Sequence, residues 1–395
     1  METRDSQRHT AAAPTQDALA ALPVAEAGTQ SMPHRLQPGA SGISPASAAM
    51  PTLPTLPTLA QRARRILGLL LLCALLALLL AAAIGSVPIP LPELPGALQA
   101  WWQGQQNMQA DLLELRLLRA ASAFVTGATL ALSGVMMQAL LRNPLADPYV
   151  LGISGGAAVG ALGAMMAMAA AWMIDLGAFA GATLSALLLY LLARRDLRYG
   201  VAAEGSSLLL LTGVILSAGC MAIVTLMLSV APEGRLRSMV FWMIGDLSAV
   251  QAHWLPWLVW LAAGLFAVSR ARAINLMALH AQNAATLGVP LARLRVQLFF
   301  ASALLTASAV TNAGSIGFVG LIVPHACRFA LGPDHRLLLP AASLAGGIFL
   351  VLADTVARSI IAPLQLPVGV ITALIGVPVF LLQLHQLHFS RRGRT

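Results

Sequence analysis

The chain has 395 residues, 58% of them hydrophobic and only 10% charged, with a formal net charge of +9. So apolar a composition excludes an ordinary soluble protein of two or three domains and points to repeated passage through a bilayer. All 24 basic residues are arginine and none is lysine. A P-loop sets a lysine on the nucleotide phosphates, so no orthodox nucleotide site is expected here.

Residues 1–60 are rich in Ala, Pro, Gln, Ser and Thr and end in Pro51-Thr52-Leu53-Pro54-Thr55-Leu56-Pro57-Thr58-Leu59. Such a segment buries too little apolar surface to offset its ordering entropy and reads as a disordered cytoplasmic tail. It lacks the compact order of a signal peptide, and a misplaced start codon is the alternative. Arg62, Arg64 and Arg65 then precede an uninterrupted apolar run over 66–84, a first membrane helix entered from the cytoplasm by the positive-inside rule. Residues 85–115, with Trp101 and Trp102, read as an outer interface segment.

A second helix is predicted over 117–141, a third from 150 to about 172, a fourth over 176–193 ending at Arg194, Arg195 and Arg198, and a fifth over 207–230. Residues 232–253 read as a short outer helix, and a sixth span over 254–268 reaches Arg270 and Arg272. After a polar interlude over 273–295 come a seventh helix (296–312), an eighth broken near Pro324, a ninth (339–356) and a tenth (368–387). Residues 391–395 form a basic tail with Arg391, Arg392 and Arg394. The expectation is therefore an all-α, polytopic membrane protein of about ten transmembrane helices over 61–390, both termini cytoplasmic. Arginines spaced between apolar runs report topology, and nucleic acid is not expected as a partner.

Two interruptions stand out. Arg142-Asn143-Pro144-Leu145-Ala146-Asp147-Pro148 breaks apolar sequence with two prolines, neither of which fits a regular helix interior. A second proline- and glycine-rich break lies between Gly314 and Pro324. Irregular backbone at membrane depth is tolerated only against protein or a water-filled cavity, so the breaks suggest a transport pathway. Corresponding interruptions in two halves also point to an inverted repeat.

Three blocks in one order carry a resemblance. They are residues 116–160, from Arg116 to Gly160; Asn312-Ala313-Gly314-Ser315-Ile316-Gly317-Phe318-Val319-Gly320-Leu321-Ile322-Val323-Pro324-His325; and 366–378, from Leu366 to Pro378. The chain resembles the FecCD family of permeases, which import vitamin B12, ferric siderophores or haem. The resemblance covers most of 60–390. It implies the inverted-repeat fold of an ABC type II importer permease in the bacterial inner membrane. It also implies two copies around a central pathway, two ATPase subunits that bind ATP and Mg inside, and a periplasmic substrate-binding protein outside. The cargo would be a metal chelate: a ferric siderophore, cobalamin or haem.

The resemblance also assigns residues. Arg116, Arg119 and Arg358 match docking arginines for the binding protein, although arginines at a membrane interface also snorkel and Asp354 stands four residues before Arg358 as an intrahelical partner. Residues 276–290 match the segment seated on the ATPase, with Leu279, His280, Ala284, Leu287 and Gly288 as coupling residues; His280 stands where the family usually has glycine, and acids are lacking at Ala281 and Gln282. Ser206 and Ser207 match a cytoplasmic gate and are equally good helix caps. Asn143 and Pro144 belong to the expected translocation path. Gly152, Gly156 and Gly160 form a small-residue stripe suited to helix packing, with path lining as the second reading. His325 in the Pro-His signature reads as structural, His253 as a weak haem-handling candidate, and Cys73, Cys220 and Cys327 as free thiols. No catalytic constellation, cofactor site or metal site is expected in this chain, which makes it a transport subunit and not an enzyme. A secondary, ion-coupled transporter is the other class that shows broken helices; it usually couples through membrane-embedded acids, whereas here the acids lie mostly near helix ends.

Overall fold

The computed structural model describes residues 59–85, 87, 90–105, 107–199, 206–248, 254–279 and 287–392. The expected tail over 1–60 lies outside the described residues, save for its last two positions, which begin the first helix.

Twelve α-helices are present among the described residues, and no strand. In chain order they are α1 (Leu59–Ala83), α2 (Leu94–Trp102), α3 (Met108–Leu141), α4 (Ile153–Met166), α5 (Ala171–Tyr199) and α6 (Ser206–Val230). There follow α7 (Glu233–Ile244), α8 (Leu255–Leu279), α9 (Leu291–Ala313), α10 (Val319–Leu331), α11 (His335–Ser359) and α12 (Val368–Arg392). Seven of them are long and apolar enough to cross a membrane; three shorter apolar helices lie over Ile153–Met166, Val319–Leu331 and Val368–Gln383.

The bundle is built around α3, of which an eighteen-residue stretch is wholly buried. Lipid offers no hydrophobic force between helices, so close packing and hydrogen bonds must hold them. Both occur along α3. Ser133 Oγ lies 2.7 Å from Ser302 Oγ and 2.8 Å from Thr306 Oγ1 on α9. Asn312 Nδ2, near the end of α9, donates to Ser122 Oγ (2.6 Å) and Thr126 Oγ1 (2.8 Å). By contrast, the most apolar windows of α1, α6 and α8 are only 22%, 17% and 22% buried, leaving leucine-rich faces for lipid or further protein.

Four of the differences from the sequence expectation bear on the site. Helix α3 begins nine residues before 117, because Asn107 caps it: its Oδ1 accepts from Ala110 N at 2.7 Å. The predicted third span is a 3-10 turn over Pro148–Leu151, then Gly152 at φ +79°, then α4 of only 14 residues. At 1.5 Å per residue α4 is about 21 Å long, short of a bilayer core. Of the expected break between Gly314 and Pro324, only 314–318 is irregular, and Pro324 sits inside α10. Proline at that position deprives Gly320 of its helical hydrogen-bond donor. The Gly320 carbonyl lies instead against Gly134 of α3, where a Cβ would come within 1.8 Å of it. Finally, α8 runs to Leu279 and α9 starts at Leu291, so both flanks of the predicted 273–295 interlude are helical.

Candidate functional site: two helix breaks and two polar ends

Helix α9 runs antiparallel to α3, with Asn312 beside Ser122 and Thr126, yet Gly320 already lies against Gly134. Between those points the chain has moved eight residues along α3, about 12 Å, and reversed direction. Phe318 makes the corner at φ +70°, a conformation that L-residues avoid. The first break comes to meet this one. Ser154 Oγ is 2.8 Å from Ser315 Oγ, and Ile316 N donates to the Tyr149 hydroxyl at 3.3 Å. Local bonds shape that first break: Arg142 ends α3 in the left-handed region (φ 50°), Asn143 Oδ1 accepts from Leu145 N (2.9 Å), and Asp147 Oδ1 accepts from Tyr149 N (2.9 Å). Pro144 lies in the same turn. The third sequence block joins them, since Gly369 N donates to Gly245 O (3.3 Å) while Asp246 N donates to Ala313 O (3.1 Å). All three blocks therefore converge on one irregular centre.

At the end of the bundle where α1 finishes, Arg116, Arg119 and Arg358 come together. The last carbonyls of a helix have no intrahelical donors and form its negative end. Arg116 donates to Ala82 O (3.0 Å), Ala83 O (3.1 Å) and the Val87 carbonyl, and Arg358 donates to the Ala81 carbonyl. Arg119 grips Asp354: Nε lies 3.0 Å from both carboxylate oxygens, Nη2 is 2.7 Å from Oδ1, and Nη1 reaches Gln365 Oε1 at 2.7 Å. Arg358 Nε stands 3.7 Å from Asp354 Oδ2, so the i,i+4 pair expected from sequence is the weaker arm of the cluster. Arg116 and Arg358 are buried, at 6% and 4% exposure, and Arg119 keeps 12% of its side chain accessible. A cavity of about 480 Å³ opens beside them, with Arg237 and Phe241 on its wall. Arg237 is exposed and its guanidinium lies 5.3 Å over the Phe241 ring, a cation–π arrangement.

At the opposite end, α3, α8, α10 and α11 leave a second cavity of about 510 Å³, lined by Gln138, Arg142, Pro144, Asn275, Arg328 and His335 among others. Asn275, on the last turns of α8, ties that helix to the start of α11: its Nδ2 donates to Asp334 Oδ1 (2.7 Å), and its Oδ1 accepts from His335 N (2.8 Å). Asp334 also caps α11 by accepting from Arg336 N at 3.0 Å. Asp334 lies just before the span. Burial raises its pKa, but the bonds from Arg336 N and Asn275 and the charge of Arg336 outweigh this and hold the carboxyl below its usual range. Of the coupling candidates, Leu287 and Gly288 are exposed, with Gly288 at φ +79° in the turn before α9. Leu279 ends α8, while His280 and Ala284 lie outside the described residues, as does His253. Ser206 and Ser207 open α6, their side chains being outside the description.

Gly156 and Gly160 of the glycine stripe face α5, whereas Gly152, in the turn before α4, lies against α6. A Cβ on Gly156 would lie 2.5 Å from Gly181 O, and one on Gly160 1.9 Å from Gly177 O, so α4 and α5 pack backbone to backbone. Gly152 N accompanies this by closing the 3-10 turn on Tyr149 O, and Ser185 Oγ donates to Gly152 O at 2.8 Å. His325 on α10 is half-buried, with Nδ1 unpartnered among the described residues. The three cysteines are free thiols.

The family model of the FecCD transport family matches residues 70–386. This chain belongs to that family. Among its relatives, the vitamin B12 import system permease protein BtuC of Salmonella typhi is 40% identical over 278 residues, 68% of this chain and 81% of that protein. The same protein of Salmonella newport (strain SL254) gives the same figures. A solved inward-facing conformation of a metal-chelate type ABC transporter superposes with a TM-score of 0.70 at 30% identity, covering 82% of this chain and 99% of that one. PsaBC from Streptococcus pneumoniae, solved in complex with Fab, shares the fold at a TM-score of 0.52 and 17% identity, covering 72% and 94%. The fold is thus that of an ABC importer permease, and the chain is a multi-pass transport subunit.

Sequence reasoning did not find Gln365, the α1 carbonyls as arginine acceptors, the Asn275 clamp or the contact between the breaks. Each joins residues far apart in the chain, and no periodicity marks such pairs.

Proposed function

We propose that this chain is the membrane-spanning permease of an ATP-driven importer that moves a cobalamin-type metal chelate across the bacterial inner membrane. The observation that carries the reading is the meeting of two interrupted helices at one irregular centre, which gives a bundle a movable joint where a packed four-helix core would give none. Cobalamin is favoured over ferric siderophore or haem because the relatives at 40% identity are vitamin B12 permeases. ATP and Mg would be bound by two separate ATPase subunits, seated near the segment between α8 and α9, where the Asn275 clamp would pass their movement to α11. Two copies of this chain would pair around the pathway, and both termini would be cytoplasmic.

A periplasmic binding protein would dock at the end bearing Arg116, Arg119 and Arg358. Arg116 and Arg358 would shape that surface by capping α1, Arg119 by holding Asp354, with the exposed Arg237 presenting charge to acidic groups. The test is uptake of radiolabelled cobalamin in cells lacking the chain and in cells with it restored. Uptake lost on deletion and regained on restoration supports the reading. Uptake that persists without the chain, with redundant systems removed, discards cobalamin and directs the same assay to ferric siderophores and haem. Uptake insensitive to loss of the partner ATPase would instead favour a secondary transporter.

A further inference from the structure

The cavity between α3, α8, α10 and α11 holds buried polar atoms that the described protein leaves unanswered. Gln138 is 1% exposed; its Nε2 donates to Leu321 O (3.1 Å), which fixes the amide orientation and leaves Oε1 an acceptor without a donor. His335 is 3% exposed and its ring is locked by Asn275. Because Asn275 Nδ2 is engaged by Asp334, the atom 2.7 Å from His335 Nδ1 is an oxygen, so Nδ1 carries the proton. His335 Nε2 is then a second acceptor, also without a donor. Arg328 brings the opposite need: its Nε and Nη2 are buried, without an acceptor, and no carboxylate among the described residues pairs with it. Arg142 adds a further cation on the wall, and Asp334 and Asn275 are already spent on each other.

The chemistry of this lining is therefore specific. It asks for an anion to meet Arg328 and for hydroxyl donors to meet Gln138 Oε1 and His335 Nε2. The cavity's volume of about 510 Å³ lies in the range of ligand sites, and a single water, at roughly 30 Å³, neither fills it nor neutralises a buried guanidinium. We propose that this cavity binds a hydroxyl-bearing phosphate, the chemistry of a glycerophosphate head, which bridges the ends of α3, α8, α10 and α11. Two sources share that chemistry, an anionic glycerophospholipid and a soluble polyol phosphate. The proposal does not rest on what the importer carries.

The experiment titrates the purified full-length chain in neutral detergent with dihexanoyl phosphatidylglycerol, sn-glycerol 3-phosphate, inorganic phosphate and dihexanoyl phosphatidylcholine, reading binding by calorimetry. The expected result is one saturable site per chain for phosphatidylglycerol and none for phosphatidylcholine. Arg328→Gln weakens that site at least tenfold, whereas Arg64→Gln, an exposed arginine on α1, leaves it unchanged. Ala278→Leu, which fills the cavity without touching charge, weakens it too and keeps the test alive if Arg328→Gln fails to fold. Competition by glycerol 3-phosphate assigns the head group alone; binding by the lipid only assigns the lipid. Inorganic phosphate binding as tightly as either overturns the requirement for hydroxyls. Absence of a saturable site, or a site indifferent to both cavity variants, overturns the proposal.

Discussion

Asp354 is the residue on which the α1 end of the bundle turns. It is 1% exposed and lies between Arg119 and Arg358, so its removal leaves two cations without their counter-charge. Breaking a buried pair by deleting one partner costs about 3–5 kcal/mol, far more than the pair contributes over a hydrophobic substitute. Asp354→Asn is expected to lower the thermal unfolding midpoint of the purified chain clearly more than Arg119→Gln, which leaves Arg358 beside the carboxylate. Equal midpoints would mean that the carboxylate is not the hub. The Asp354–Arg358 spacing is visible in the sequence, but the stronger Arg119 arm spans 235 positions and is not. Asp334 supplies a pH dependence at the other end. Its pKa is depressed on folding, so the stability it contributes is present above the unfolded value of roughly 4 and is lost as pH falls through the lower folded value. Unfolding followed from pH 7 to pH 3 should therefore show an acid-side loss of stability that Asp334→Asn reduces, since asparagine can keep the cap without the charge.

Packing between elements is decided by where backbones touch. Gly156 and Gly160 of α4 meet Gly181 and Gly177 of α5, leaving no room for a side chain. Overpacking a formed interface costs about 1–3 kcal/mol and more where the neighbour is backbone. Gly160→Leu is expected to lower the yield of folded, monodisperse protein on size exclusion, whereas Gly68→Ala on α1, with nothing within 4 Å of the added Cβ, should be neutral or gain up to about 1 kcal/mol. A normal Gly160→Leu elution profile would contradict the contact. The stripe itself was legible as small residues at helical spacing. Its partner on α5 was not, because Gly177 and Gly181 carry no mark of which helix they face. The span of α4 was also misjudged from apolarity: Gly152 at φ +79° ends the 3-10 turn, and only then does the helix start.

The whole bundle depends on how the two breaks meet. Ser154 and Ser315 lie 161 positions apart and 2.8 Å apart through their hydroxyls. With Cys73, Cys220 and Cys327 replaced by serine, a Ser154→Cys/Ser315→Cys pair should form a disulfide under mild oxidation. Transport that stops on oxidation and returns on reduction would show that the joint must open. Full transport in the cross-linked state would mean that it is static. The alternation of arginine clusters and apolar runs determined by itself that the chain is helical and membrane-spanning, because hydrophobic length and charge placement are local properties that one pass along the chain can read; the likeness to the FecCD family came from the three blocks at 116–160, 312–325 and 366–378. Tertiary structure alone decided that Arg116 and Arg358 turn inward onto the end of α1 while Arg119 takes Asp354, that only 314–318 of the expected 314–324 break is irregular, and that a polar cavity lies beside Asn275. Those outcomes depend on orphan carbonyls, close backbone approaches and buried charges finding partners, and such partners are chosen only when distant helices come together.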